Sequence, residues 1–146
     1  VDEKNIPALS EFLNDNARVQ LQGGPQPVEF LLDGVLSVRG VTPALASELE
    51  AVGPYGSGND EPRFAIVDAQ VVKADIVGSG HVRCILSGRD GGRLKAIAFR
   101  SADSELGLGL LNAAGRSLYL AGMVRADNWQ GRNDVQFMIE DACVAK

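Results

Sequence analysis

Apolar positions follow two different rhythms along this chain. Before residue 53 they recur mainly at helical spacing; from Phe64 onward they alternate or crowd in short runs between glycine-rich turns. Ile6, Leu9, Phe12, Leu13 and Val19 predict a helix over 5–21, with Pro7 in its first turn, where a missing N–H does no harm. Gly23, Gly24, Pro25 and Pro27 then break the chain. Residues 28–39, with Val28, Phe30, Leu32, Val35, Leu36 and Val38, read as a strand or a hairpin around Asp33-Gly34. Thr42-Pro43 is an N-cap followed by proline at the first helical position, so residues 43–52 predict a short helix ended by Gly53. Residues 53–63 form a Gly/Pro connector.

Beyond the connector, residues 64–77, 81–87 and 93–100 predict three strands. A helix over 103–114 follows, burying Leu106, Leu110 and Leu111 despite the weakening Gly107 and Gly109. Strands over 116–126 and 134–144 complete the pattern. The order β-β-β-α-β-β matches an oligonucleotide-binding (OB) barrel, whose helix can plug the open bottom of the cylinder. A five-stranded sandwich with a stray helix is the competing architecture. The expected fold is mainly β with α: a small α+β segment over 1–52, the connector, and a barrel over 64–146.

Charge sharpens the division. Residues 1–62 hold three basic side chains against ten acidic, and residues 63–146 hold eleven against nine. The overall charge of −5 argues against nucleic acid unless cations cluster locally. Alternation supplies such a cluster. Arg83 on the second barrel strand shares a face with Arg93 and Lys95 on the third, and Arg89 lies at the tip between them. The loop between the last two strands adds Arg125, Trp129 and Arg132. Cations that track phosphates beside an aromatic ring on which a base stacks are what single-strand binding requires. Such cations are equally the solvated face of any barrel, Trp129 is equally a hairpin tip folded on the core, and aromatic content is only 5%. From pattern and charge alone both readings stay open.

Catalysis finds little footing. His81 is the only histidine, at a turn-flanking position expected to be exposed, without a nucleophile at an obvious partner position. No clustered metal-ligand spacing or phosphate loop occurs, and Glu140 and Asp141 fall on opposite strand faces. Cys84 and Cys143 read as buried free thiols of a cytoplasmic protein. No apolar run is long enough to span a membrane.

Three segments share a further likeness. Gly53-Pro54-Tyr55-Gly56-Ser57-Gly58-Asn59 with Glu61-Pro62 and Phe64, then Leu94-Lys95-Ala96-Ile97-Ala98-Phe99, then Asn128-Trp129-Gln130-Gly131-Arg132 with Val135-Gln136 and Ile139-Glu140-Asp141, stand in order over residues 53–142. Together they resemble the RecJ family of single-strand-specific 5′→3′ exonucleases, with Asp60 where the family's connector has a second proline. The resemblance implies an OB domain preceded by the tail of a DHHA1-type domain, cut from a longer chain, as the first residue Val1 also suggests. It implies a parent hydrolase that uses manganese or magnesium and acts in repair and recombination. The family's DHH and glycine-glycine-histidine motifs are missing here, so this piece is expected to hold no cofactor and to be inactive alone. Its implied partners are single-stranded DNA, the catalytic core of the same parent chain and a single-strand-binding protein. The alternative is a scaffolding barrel that packs on that core or a partner protein without touching DNA.

Overall fold

The structure is a computed structural model that describes residues 6–20, 29–128 and 131–146. Contacts divide the chain into two compact units, Val1–Phe30 and Leu31–Lys146. In the first, helix α1 spans Ile6–Gln20. Phe12 and Leu13 of its apolar stripe are exposed, and the Asn16 amide donates back to the Phe12 carbonyl at 2.8 Å. The division falls at Phe30 rather than at residue 52, because residues 31–52 pack with the barrel.

The second unit runs β1 (Gly34–Leu36), α2 (Pro43–Val52), β2 (Phe64–Val77), β3 (His81–Ser87), β4 (Arg93–Ala98), α3 (Glu105–Leu111), β5 (Ser117–Asp127) and β6 (Asp134–Val144). β2 is long enough to serve two sides of a ring. Phe64–Gln70 pairs antiparallel with β5, and Gln70–Val77 pairs antiparallel with β3. Within the half that pairs β5 the register shifts past Asp68, whose φ of 54° lies in the left-handed region that aspartate enters more readily than most residues. β3 then pairs β4, β4 runs parallel to β6, and β6 returns antiparallel to β5. This circuit closes a five-stranded OB barrel and rules out the sandwich.

The Asp33-Gly34 hairpin does not form. Residues 34–36 instead lie parallel to residues 64–66 of β2, and the Asp33 carboxylate accepts the Arg63 N–H at 2.8 Å. A three-residue strand cannot sustain a hairpin of its own, but a ready-made edge on β2 satisfies its backbone. α2 is capped as expected: the Thr42 hydroxyl accepts the Leu45 N–H at 3.1 Å.

Alternation along the strands fills the barrel. Ile66, Val82, Cys84, Leu86, Ala96 and Phe137 are fully buried. Each large side chain buried this way contributes about 1.5–3 kcal/mol. α3 is shorter than the expected 103–114. Ser104 caps it by accepting the Gly107 N–H at 3.1 Å, Leu110 is buried, and Leu106 and Leu111 pack on the core. Gly107 stands mid-helix for a steric reason: a Cβ there would lie 1.7 Å from the Ser101 carbonyl oxygen. Gly122 does the same for the strands, since its Cβ would lie 1.9 Å from the Met138 carbonyl oxygen where the β5–β6 register shifts.

Two side chains depart from expectation. Cys84 is buried, but Cys143 is exposed, because the register shift between Ile139 and Asp141 reverses the alternation of β6, so that Ala142 packs on the core and Cys143 faces out. His81 is partly buried rather than exposed. Its Nδ1 accepts the Arg100 N–H at 2.9 Å, and its ring meets Phe99 edge-on with centroids 4.9 Å apart. Among the described residues, no helix is long and apolar enough to cross a membrane.

Candidate nucleic-acid interface

The outward positions of β3 and β4 are those that alternation leaves over once the core is filled. Val82, Cys84 and Leu86 point in, so Arg83 and Ile85 point out; Leu94 and Ala96 point in, so Arg93 and Lys95 point out. Register carries this face onward around the barrel. Ile85 pairs Lys95, Lys95 pairs Gln136 and Gln136 pairs Arg125. One row further along, Arg83 pairs Ile97, Ile97 pairs Met138 and Met138 pairs Met123. At one strand spacing per step, Lys95 and Arg125 stand about 10 Å apart. A recess of about 250 Å³ lies on this face, lined by Ile85, Arg93, Leu94, Lys95, Asp134 and Val135.

Most of these cations have a carboxylate partner. Arg83 donates to Asp75 at 2.5 Å, Lys95 donates to Asp134, and Arg125 forks onto both oxygens of Glu61 at 3.0 and 2.5 Å. Arg89 at the hairpin tip sits 3.8 Å from Asp68. Arg93 and Arg132 are exposed and make no ion pair among the described residues. The Lys95 ammonium, then the Val135 N–H, hold the Asp134 carboxyl below its ordinary value; Arg132 adds to the effect from nearby. All these pairs are partly solvated, so each contributes little to stability and can exchange its carboxylate for a phosphate.

Arg83, Arg93 and Lys95 therefore lie on the outward side of the paired strands β3 and β4, Arg125 points outward from β5 beyond β6, and Arg132 stands in the loop that leads into β6. Trp129 lies outside the described residues. Sequence reasoning missed Lys73, which a bulge at Val71–Lys73 places opposite Ile85, and it missed Gln136. It also missed the aliphatic strip of Ile85, Ile97, Met123 and Met138, and the half-exposed ring of Phe99. The alternation of β6 carried a signal for Gln136 and Met138; what was hidden is the parallel β4–β6 pairing that sets them beside β4.

Other charged groups brace the scaffold. Asp90 accepts the backbone N–H groups of Arg39 and Gly92, each at 2.8 Å, which holds its carboxyl below the ordinary range and ties the β3–β4 tip to the segment after β1. Arg63 pairs Glu140 at 2.8 Å, which raises the guanidinium further. Among the described residues, no group of three or more His, Cys, Asp or Glu side chains gathers to hold a metal ion.

Residues 32–141 match the family described as the RecJ OB domain. The chain belongs to that family. The RecJ single-stranded-DNA-specific exonuclease of Bacillus subtilis (strain 168) is 23% identical over 146 residues, covering 98% of this chain and 18% of that protein. Crystal structures of RecJ from Thermus thermophilus, one in complex with Mn²⁺ and one with Mg²⁺, superpose with TM-scores of 0.65 and 0.63 at 24% identity. Each covers all of this chain, which in turn covers 20% and 21% of them. The chain thus spans about a fifth of the length of the RecJ proteins it matches.

Proposed function

We propose that this RecJ OB domain grips single-stranded DNA on the outer face of β3, β4, β6 and β5. In a longer parent it would clamp the strand for a catalytic core that degrades single-stranded DNA in repair and recombination. The observation that supports the reading is that Arg83, Arg93 and Lys95 point outward from the paired strands β3 and β4, with Arg125 outward on β5 across β6. Phosphates would displace Asp75, Asp134 and Glu61 from these cations, and bases would lie on the aliphatic strip and Phe99. Because each phosphate must compete with a carboxylate already in place, the grip is modest and reversible, as suits a strand that must be passed along.

A second reading is favoured by the other side of the barrel. Val35, Val67 and Tyr119 are 65%, 42% and 38% exposed. Register sets them together: Val35 pairs Ala65, Val67 follows two residues on, and Tyr119 lies two residues before the Ala121 that also pairs Ala65. This apolar face suits packing against the parent's core. Grip and anchor are compatible, since they use different faces.

A nitrogen–proton NMR titration with an unlabelled oligo-dT separates the two. The DNA reading expects shift changes at Arg83, Arg93, Lys95, Gln136 and Arg125. An unchanged spectrum, or changes confined to β1 and the Val67–Tyr119 side, would leave only the scaffolding role.

A further inference from the structure

β5 pairs with β2 only from Ser117 to Gly122, so at Val124 and Arg125 its edge away from β6 has no strand partner. The connector takes that place and leaves a recess of about 410 Å³. Its apolar lining includes Pro54, Tyr55, Pro62 and Val124; Glu50, Glu61 and Arg125 supply charged groups, and of the two carboxylates it is Glu61 that holds Arg125. The walls are fixed without any ligand. The Tyr55 hydroxyl donates to the Leu49 carbonyl, the Asn59 amide donates to the Pro54 carbonyl at 3.0 Å, and Gly56 and Asn59 exchange backbone hydrogen bonds.

Arg125 belongs both to this recess and to the row Lys95–Gln136–Arg125 of the cation face. A strand whose phosphates follow that row reaches the mouth of the recess with a base to place. We infer that the recess receives a nucleobase of the bound strand and that Glu61 selects bases bearing an exocyclic amine. This rests on the DNA-binding reading above. When a phosphate takes the Arg125 guanidinium, Glu61 loses its bidentate partner. An ionised carboxylate only accepts hydrogen bonds. Cytosine offers an N4 amine to such an acceptor, whereas thymine presents a carbonyl oxygen at the same position and is repelled.

The test is fluorescence anisotropy at pH 8 with labelled oligo-dC, oligo-dT and an abasic oligomer of equal length, on the full 146-residue chain. The wild type should bind oligo-dC about five- to tenfold tighter than oligo-dT, the lower end of what one good base contact gives. Glu61→Gln should bring that ratio close to one, because an amide both donates and accepts. Tyr55→Leu, checked for folding by thermal melting, should weaken both base-bearing oligomers and leave the abasic one unchanged. Equal affinity for oligo-dC and oligo-dT, or a preference that survives Glu61→Gln, overturns the base recess while salt-dependent binding stands. Loss of abasic binding in a folded Tyr55→Leu chain counts against the recess as well. Binding to none of the three oligomers removes both this inference and the reading beneath it.

Discussion

The two sides of β3 carry alternate residues of one seven-residue strand, yet opposite kinds of interaction hold them. Inward, Val82, Cys84 and Leu86 are completely buried, and burial, with Asp75 nearby, pushes the Cys84 thiol up to about 11. That thiol stays protonated and acts as one more apolar filler. Outward, Arg83 shares its charge with Asp75, and both side chains remain partly in water. Shape decides the inside, where Gly122 and Gly107 leave no room even for a methyl group. Charge decides the outside, where one anion can replace another. The fold is therefore rigidly specified, while the grip on a ligand can be tuned without disturbing it.

Substitutions test that contrast, beginning inside. Phe137→Ala removes the largest fully buried side chain among the described residues and should cost about 3–5 kcal/mol, read from urea denaturation. A loss below about 1 kcal/mol would mean that the barrel interior tolerates voids. Gly122→Val forces a side chain against the Met138 carbonyl and should cost about 2–3 kcal/mol by the same measurement. Wild-type stability in that variant would show that β5 and β6 need no close approach.

Outside, the effects should move from stability to binding. Lys95→Glu should leave stability within about 0.5 kcal/mol of wild type. It should weaken oligo-dT binding roughly five- to tenfold at low salt, since it both removes a phosphate contact and adds a repulsive charge. Unchanged affinity would exclude β4 from the interface. Asp134→Asn makes the opposite change and should strengthen binding about two- to threefold by freeing Lys95; a weaker complex would mean that the carboxylate helps position the ammonium.

The same pair sets a small pH dependence. The Asp134 carboxyl is lowered in the folded chain from an ordinary value of 3.8, first by Lys95 and then by the Val135 N–H. Its contribution to stability is thus present above that ordinary value and lost as pH falls through the lowered one. Thermal melts of wild type and Asp134→Asn should differ slightly at neutral pH and converge in strong acid. A difference that grows in acid would contradict the assignment.

How much of this was legible beforehand depends on how far apart the interacting residues lie. Alternation over 81–87 and 93–98 is local, and it separated core from surface except at Ile97, which is buried although it falls with Arg93 and Lys95 in the alternation. The helix before the fourth barrel strand and the Thr42-Pro43 cap were equally local signals. The parallel partner of residues 34–36 lies beyond the whole of α2 and the connector, so nothing near Asp33-Gly34 distinguishes it from a hairpin. The carboxylates that quench the cation face come from 8, 39 and 64 residues away in Asp75, Asp134 and Glu61. A count of arginines and lysines could see the cluster but not its neutralisation. The partly solvated side chain of Glu61 lies in the connector, which read only as a turn segment.

The central claim is that exposed cations on one barrel face hold a phosphate backbone. Anisotropy of a labelled oligo-dT titrated with this chain across a salt series tests it most directly. Three to five phosphate contacts predict that the logarithm of the association constant falls against the logarithm of salt with a slope of about −2 to −3.5. A flat dependence, or no association at low salt, would contradict it.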